Sequence, residues 1–279
     1  MSAFANCKIN FGLNILDKRA DGFHNLKSIF IPVLWFDVIE IIESDNDEIF
    51  LYGRKVDGDK KSNSCFKALE LIRSVRKFPP VNIHLLKNIP TGAGLGGGSS
   101  DGVKTIMLLN EKFDLKLTSD EIAEATNQLG SDCSFFINNV AALVEGRGEI
   151  ISPVNLSLDG FSIAVVYTGV AINTAGAYSL LDEFRKINKV MVKEINFPTF
   201  AVADSVEWKN IFYNDFEEPI FNLHPEIKKW KKYFYEKGAV LSLMSGSGSS
   251  VFGIFRKNEF PKWKSDMKIP QSDYHCSNF

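Results

Sequence analysis

Pro90-Thr91-Gly92-Ala93-Gly94-Leu95-Gly96-Gly97-Gly98-Ser99-Ser100 places five glycines in the seven positions from 92 to 98. Val81, Ile83 and Leu85 ahead of it alternate as a strand does, and the residues after it predict a helix from about Ser99 to Lys112. A glycine run held between a strand and a helix is not a linker. Glycine lets the backbone approach a ligand closely and take positive φ. The helix N-terminus adds unpaired N–H groups and the positive end of a dipole, which together suit a phosphate. All the residues from Pro90 to Ser100 are therefore candidate phosphate contacts. Ser99 and Ser100 can cap the helix, and their hydroxyls can reach phosphate oxygens or Mg²⁺. The P-loop pattern fails, because no lysine follows the glycines. Gly92, Gly94 and Gly97 meet GxGxxG literally, but the chain before them does not open a βαβ unit, so a dinucleotide loop is the weaker match. A flexible turn capped by serines is the plain alternative.

Outward from the loop, the chain has 279 residues, 45% hydrophobic and 24% charged, which is a globular composition. Its 32 basic and 34 acidic side chains leave a net charge of -2, so no electrostatic footprint for nucleic acid or anionic lipid is present. No apolar run is long enough to span a bilayer, and the N-terminus lacks a signal-peptide pattern. A cytoplasmic protein is expected. The four cysteines, Cys7, Cys65, Cys133 and Cys276, lie far apart and read as free thiols; neither they nor the histidines suggest a metal site.

Residues 5 to 15 alternate, with Cys7, Ile9, Phe11, Leu13 and Ile15 on one face and Lys8, Asn10, Gly12 and Asn14 on the other. That pattern predicts a half-buried strand with a polar face. The turn Arg19-Ala20-Asp21-Gly22 follows it. Further strands are expected at 28–36, 38–42, 49–52, about 140–145 and 161–167, with a pair, 240–244 and 251–255, flanking a Ser/Gly loop. Helices are expected from Asn63, from the capping box Thr118-x-x-Glu121 to Gly130, near 174–187, and from Pro225 to Lys237. Without strict βαβ alternation the class is α+β, with a boundary in the run Asn155 to Gly160.

Several segments now resemble one family. Pro90-x-x-x-Gly94-Leu95-Gly96-x-x-Ser99-Ser100 is similar to the second motif of the GHMP kinases (galactokinase, homoserine kinase, mevalonate kinase, phosphomevalonate kinase). Lys8-Ile9-Asn10-Phe11 with Arg19 to His24 resembles a family opening. Leu129-Gly130-Ser131-Asp132-Cys133, Glu145 to Glu149, Asn214-Asp215-Phe216-Glu217 and Ser245-Gly246-Ser247-Gly248 match further motifs in the expected order, so the resemblance covers nearly the whole chain. Gly96-Gly97-Gly98 before the serines points to the branch acting on 4-diphosphocytidyl-2-C-methyl-D-erythritol in the non-mevalonate route to isoprenoids.

The resemblance implies two lobes. Residues 1–155 would form an ATP-binding lobe like domain 2 of ribosomal protein S5, and residues 156–279 a ferredoxin-like, substrate-side lobe. It implies an ATP-dependent kinase that phosphorylates the 2-hydroxyl of that alcohol, with Mg²⁺ arriving on the nucleotide. Asp132 would be the catalytic base and Lys8 its electrostatic partner, keeping it ionised and stabilising the transferring group. Asn63 would lie near the adenine. Asn10, Phe23, His24, Thr174, Tyr178, Gly246, Ser247 and Gly248 would bind the acceptor, with His24 bonding cytosine and Phe23 and Tyr178 stacking on it.

Three departures stand out. Phe23 and Tyr178 exchange the usual Tyr and Phe, Cys133-Ser134 replaces Val-Pro, and Gly102 falls where alanine is usual. The other readings are a GHMP kinase for another small alcohol and a non-catalytic nucleotide sensor. The expected partner is a small molecule, with neither nucleic acid nor membrane, for a monomer or weak homodimer in a bacterial cytoplasm.

Overall fold

The alternating N-terminal segment forms β1 (Ser2–Lys18) and, after the Arg19–Gly22 turn, the chain pairs back on it as β2 (His24–Glu43). The structure is a computed structural model, in which residues 1–56, 58–192, 205, 207–257, 270 and 273–279 are described. Packing divides it into two compact units that are discontinuous in sequence. One comprises Met1–Lys8, Leu34–Thr91 and Gly96–Val140; the other comprises Ile9–Val33, Gly92–Leu95 and Ala141–Phe279. β1, β2 and the glycine loop each contribute residues to both.

In the first unit the chain continues as β3 (Glu48–Gly53), α1 (Ser64–Val75), β4 (Val81–Lys87), α2 (Gly97–Lys112), α3 (Ser119–Leu129) and the single turn α4 (Phe135–Asn138). The second half of β2 runs antiparallel to β4, from Val38 opposite Leu86 to Glu43 opposite Val81, and β3 lies parallel to β4. Ile39, Ile41, Ile83 and Leu85 of this sheet share one core with Leu69 and Ile72 of α1 and Ile106 and Leu109 of α2. Asn63 starts α1, its Oδ1 accepting from Cys65 N at 2.9 Å. The capping box of Thr118 and Glu121 starts α3, and Gly130 ends it.

Two expectations change here. The strands expected at 28–36 and 38–42 are one strand, because Asp37 between them is buried rather than turned to water. Its carboxylate pairs with Lys87 and accepts from Asn88 N at 2.6 Å and Ile89 N at 2.8 Å. Lys87 also binds Asp101 Oδ2 at 2.7 Å, so three charged side chains, all at or below 3% exposure, hold β2, the end of β4 and the first turn of α2 together. The cap of α2 also differs. Gly96, with φ of +68°, is the N-cap and makes no side-chain cap bond, so Ser99 and Ser100 lie inside the first turn instead of before it.

The second unit holds the first half of β2, paired with β5 (Ala142–Gly146) from Leu26 opposite Gly146 to Phe30 opposite Ala142, and β6 (Ile150–Pro153) beside β5. It continues through β7 (Phe161–Val166), α5 (Thr174–Asn188), the turn α6 (Trp208–Ile211), α7 (Glu217–Leu223), α8 (Pro225–Glu236), β8 (Leu241–Met244), β9 (Val251–Arg256) and β10 (Tyr274–Asn278). The last four strands form an antiparallel sheet in the order β10-β7-β9-β8. Numbered within this sheet that order is 4-1-3-2, the arrangement of a split βαβ sheet. Gly253 of β9 admits Phe234 of α8, since a Cβ there would lie 2.9 Å from the ring. The fold is α+β.

The buried charge cluster yields a stability test. Lys87→Met would leave Asp37 and Asp101 buried without their ammonium, and urea denaturation should show a loss of about 3–5 kcal/mol. Burial raises the Asp101 carboxyl from 3.8 to about 7; Lys87 opposes that shift and Asp37 adds to it. A carboxyl raised on folding contributes its stability below its ordinary value and loses it as pH rises through the raised one. The melting temperature should therefore fall as pH rises from 3.8 to about 7 and level off above that, and Asp101→Asn should flatten the fall.

Candidate active site

In the first unit, Lys8 lies on the face of β1 that its neighbours mark as polar, yet it is 2% exposed. Its stem crosses the start of α2: a Cβ on Gly96 would meet Lys8 Cγ at 3.1 Å, Lys8 Cε at 3.2 Å and the Phe136 ring at 3.1 Å. The stem is thus channelled between helix start and α4, and Nζ reaches Asp132 Oδ2 at 3.3 Å. Asp132 is one-third exposed, so one partner of the pair is sealed and the other meets solvent. The turn carrying Asp132 is held on both sides. Cys133 N donates to Gly130 O at 3.1 Å, Phe136 N to Cys133 O at 2.9 Å, and Ser134 Oγ to Asn127 Oδ1 at 2.7 Å. The Cys133 thiol shares a hydrogen bond with Ser99; burial pushes its pKa up to about 11, so it is an inert packing thiol. Cys133-Ser134 therefore secures the turn by hydrogen bonds. Gly102 likewise has a packing reason: a Cβ there would lie 2.9 Å from Leu129 and 3.3 Å from Ser64 Cβ.

The helix start offers what a phosphate needs. Gly98 is exposed and Ser99 half-exposed. Ser100 differs: its hydroxyl is enclosed and has no protein partner. Beside this turn is a cavity of about 170 Å³ lined by Leu51, Val56, Asn63, Lys87, Thr91, Gly98 and Asp101 among others. It is smaller than the roughly 300 Å³ of a complete small-molecule site, and it presents an unpartnered buried acceptor, Asp101 Oδ1. Pro90 is buried at its edge and Thr91 exposed. Lys87, Asp37 and Asp101 escaped the sequence reading, because isolated charged residues carry no spacing signal.

In the second unit, Gly92–Leu95 rests on the Ser/Gly loop. Ser245 Oγ donates to Gly94 O at 2.8 Å and Ser250 N to Ala93 O at 3.1 Å. A Cβ on Gly94, whose φ is +76°, would lie 2.0 Å from Ser245 O, so only glycine permits this approach. Asn10 N donates to Ser245 Oγ at 3.3 Å, and Asn10 Nδ2 to Ser28 Oγ at 3.0 Å. Asn214 Nδ2 closes the loop from below with bonds to Met244 O and Gly246 O at 2.7 and 2.8 Å. Thr174 Oγ1 and Ser247 Oγ, 3.1 Å apart, join the start of α5 to this loop. Gly248, with φ of +97°, packs against Met244 and Ile172.

The aromatic residues sit in the same unit. Tyr178 stacks on His24 with centroids 5.1 Å apart and planes at 21°, and Phe216 meets Tyr178 edge-on at 4.9 Å. Phe23 is 53% exposed, with the Arg147 guanidinium 4.0 Å from its ring centroid. His24 Nε2 lies 2.7 Å from Asp182 Oδ1. Arg147 and Asp182 were not anticipated. The 174/178/182 spacing, one helical face of α5, was the available signal for Asp182. Among the described residues, no group of three or more His, Cys, Asp or Glu is placed to hold a metal ion, and no helix is long and apolar enough to cross a membrane.

Gly96 thus opens α2 in the αL conformation with Lys8 sealed beside a one-third-exposed Asp132, and in the second unit Asn214 holds a second glycine loop. Residues 63–146 match the model of the GHMP kinases N terminal domain and residues 191–268 that of GHMP kinases C terminal. The chain belongs to the GHMP kinase family. A 4-diphosphocytidyl-2-C-methyl-D-erythritol kinase of Bacteroides fragilis (strain YCH46) is 41% identical over 286 residues, covering 99% of this chain and 97% of the relative. One of Cytophaga hutchinsonii is 39% identical, covering 91% and 92%. A crystal structure of 4-(cytidine 5'-diphospho)-2C-methyl-D-erythritol kinase shares 27% identity and a TM-score of 0.76, covering 91% of this chain and 89% of that one. Mevalonate kinase from Methanococcus jannaschii shares the fold, with a TM-score of 0.67 at 16% identity and 100% and 98% coverage.

The two loop glycines make a matched test. Gly92→Ala meets nothing within 4 Å and carries only the strain of its positive φ, about 1–2 kcal/mol. Gly94→Ala adds a backbone clash, so its urea-denaturation loss should exceed that of Gly92→Ala by about 1 kcal/mol or more. Equal losses would contradict the close approach to Ser245.

Proposed function

We propose that this chain transfers the γ-phosphoryl group of ATP to the 2-hydroxyl of 4-diphosphocytidyl-2-C-methyl-D-erythritol, the alcohol for which its relatives are named. The observation that supports it most is the Lys8–Asp132 pair, 3.3 Å apart, with the Lys8 stem laid across the start of α2. A phosphoryl transfer requires positioning and charge neutralisation more than covalent chemistry from the protein. Gly96 to Ser99 present N–H groups and the helix dipole to the nucleotide phosphates. Asn63 and the cavity beside it take the adenosine end, and Pro90 to Leu95 form the rest of the nucleotide loop.

Asp132 accepts the proton of the attacking hydroxyl as that oxygen bonds to phosphorus and the bond to the departing ADP oxygen breaks. Lys8, sealed by the chain, fixes the carboxylate and offsets negative charge on the group in transfer. Mg²⁺ would supply further neutralisation of phosphate charge, and the half-exposed Ser99 would offer it a hydroxyl. Asn10 and Gly246–Gly248 hold the polyol and diphosphate part of the acceptor. Phe23 and Tyr178 supply faces for the pyrimidine, and His24 its edge contact. Thr174 steadies the loop through Ser247.

Mass spectrometry of ATP/Mg²⁺ reactions offered this alcohol, homoserine, mevalonate and galactose checks the proposal. Phosphoryl gain is expected on the cytidyl alcohol alone. Asp132→Asn should lower kcat about 10²–10⁴-fold, and Lys8→Met should also lower kcat while both variants still bind ATP. Gain on another acceptor would keep the family and overturn the substrate. No transfer, with ATP still raising the melting temperature, would favour a sensor.

A further inference from the structure

Outside the residues assigned above, a groove of about 970 Å³ opens in the second unit between α7 and α8, which only His224 separates in the chain. That volume falls within the range of about 300–1,000 Å³ typical of small-molecule sites. Phe221, 8% exposed, and the half-buried Tyr235 give it an apolar floor, and Pro225 adds to the apolar lining. Lys228, Lys231 and Lys232 stand three and four residues apart on α8, so they share one wall, and Lys229 lines it too. Like charges at this spacing repel. Glu217 answers Lys231 and Glu236 answers Lys232, but among the described residues no carboxylate or hydrogen bond engages the side chains of Lys228 and Lys229. Glu218 is the one remaining acid of the lining. Lys231 and Tyr235 also line an adjoining cavity of about 690 Å³, whose other charged groups, Lys209 and Arg256, are both cationic. The chain as a whole carries a net charge of -2, so this concentration of positive charge is a local feature.

We propose that this groove is a second ligand site, taking a small molecule that joins an apolar chain or ring to a phosphate, and that Glu217 links it to the Ser/Gly loop. The apolar part covers Phe221 and Tyr235, and the phosphate lies at Lys228 and Lys231, since ammonium groups bind phosphate as point charges. A concave groove of this size encloses one molecule, whereas a bilayer surface would meet only its rim. One oxygen of Glu217 pairs with Lys231, and the other accepts from Met244 N, the residue before Ser245, at 2.8 Å. A phosphate at Lys231 competes with Glu217 for the same ammonium. Glu217 is 7% exposed, so weakening that pair disturbs a buried carboxylate that also holds the start of the loop. Ligand and acceptor alcohol then weaken each other's binding by the same factor. The link rests on the reading above, in which the Ser/Gly loop holds the acceptor; the site itself does not.

The experiment titrates hexyl phosphate into the full chain by calorimetry, with ATP present to fill the nucleotide loop. Hexanol, inorganic phosphate and vesicles of phosphatidic acid are the comparisons. Hexyl phosphate should bind about tenfold or more tightly than hexanol or inorganic phosphate. The double variant Lys228→Glu, Lys229→Glu should weaken it about tenfold or more while leaving kcat and both KM values unchanged in its absence. Lys228→Gln carries the test if the double variant does not fold. In the wild type, hexyl phosphate should raise KM for the cytidyl acceptor about fivefold or more, with KM for ATP unchanged, and the rise should vanish in the lysine variant. Equal affinity in wild type and variant, or binding of vesicles in place of hexyl phosphate, overturns the site. Inorganic phosphate binding as tightly as hexyl phosphate overturns the apolar half of the ligand class. Binding that leaves KM for the acceptor unchanged overturns the link through Glu217. Should the chain fail to phosphorylate the cytidyl alcohol, the calorimetry still decides the site, so that failure and the failure of this proposal are told apart.

Discussion

A lysine and three asparagines on a strand face that water does not reach must each be met by a particular partner. On β1, Asn6, Lys8, Asn10 and Asn14 are all at or below 3% exposure, while the opposite face carries the apolar core. Leaving one such group unpaired costs about 1–3 kcal/mol, more for a charge. Each is answered: Asn6 by Asn139, Lys8 by Asp132, Asn10 by Ser28 and Ser245, and Asn14 by Asp215. With both faces committed, β1 cannot slip in register without setting amides against the core. Each of these pairings lies within one unit, Asn6 and Lys8 in the first and Asn10 and Asn14 in the second.

The same need for partners explains the motif Asn214 to Glu217. Asn214 donates to two carbonyls of the Ser/Gly loop, and Asp215 accepts from Ile15 N at 2.6 Å and binds Arg185 at 2.8 Å. Phe216 backs Tyr178, and Glu217 accepts from Met244 N at 2.8 Å while pairing with Lys231. All of these are supports: they shape a glycine loop and an aromatic face from behind. In the other unit, Lys87 with its two aspartates does the corresponding task for the start of α2. Buried hydrogen bonds and ion pairs make their surroundings rigid, although one oxygen of Asp101 is left without a partner.

Much of this was legible beforehand. The capping box at Thr118, the Asn63 cap, the glycine stop at Gly130 and proline at the start of α8 are local devices whose effect is complete within four residues. The glycine loop and its helix were legible for the same reason. The break expected at Asp37, the serine caps expected for α2 and the solvated reading of Lys8's strand face were not, and β6, β10 and the short helices α4, α6 and α7 left no clear period. Each of these depends on what packs against the segment. A charge within an apolar run reads as a strand end until a lysine 50 residues away is seen to meet it.

By itself, the sequence determined where glycine must stand, which residues cap helices, and which alternating faces exist, because sterics and local hydrogen bonding set these within a turn or two. Tertiary structure alone decided which charges are buried and with whom. Lys8 with Asp132, Asp37 with Lys87, and His24 with Asp182 across 158 residues are such choices. The reason is desolvation: a charge leaves water only when its partner is already in place, and that condition is met by chain segments remote in sequence.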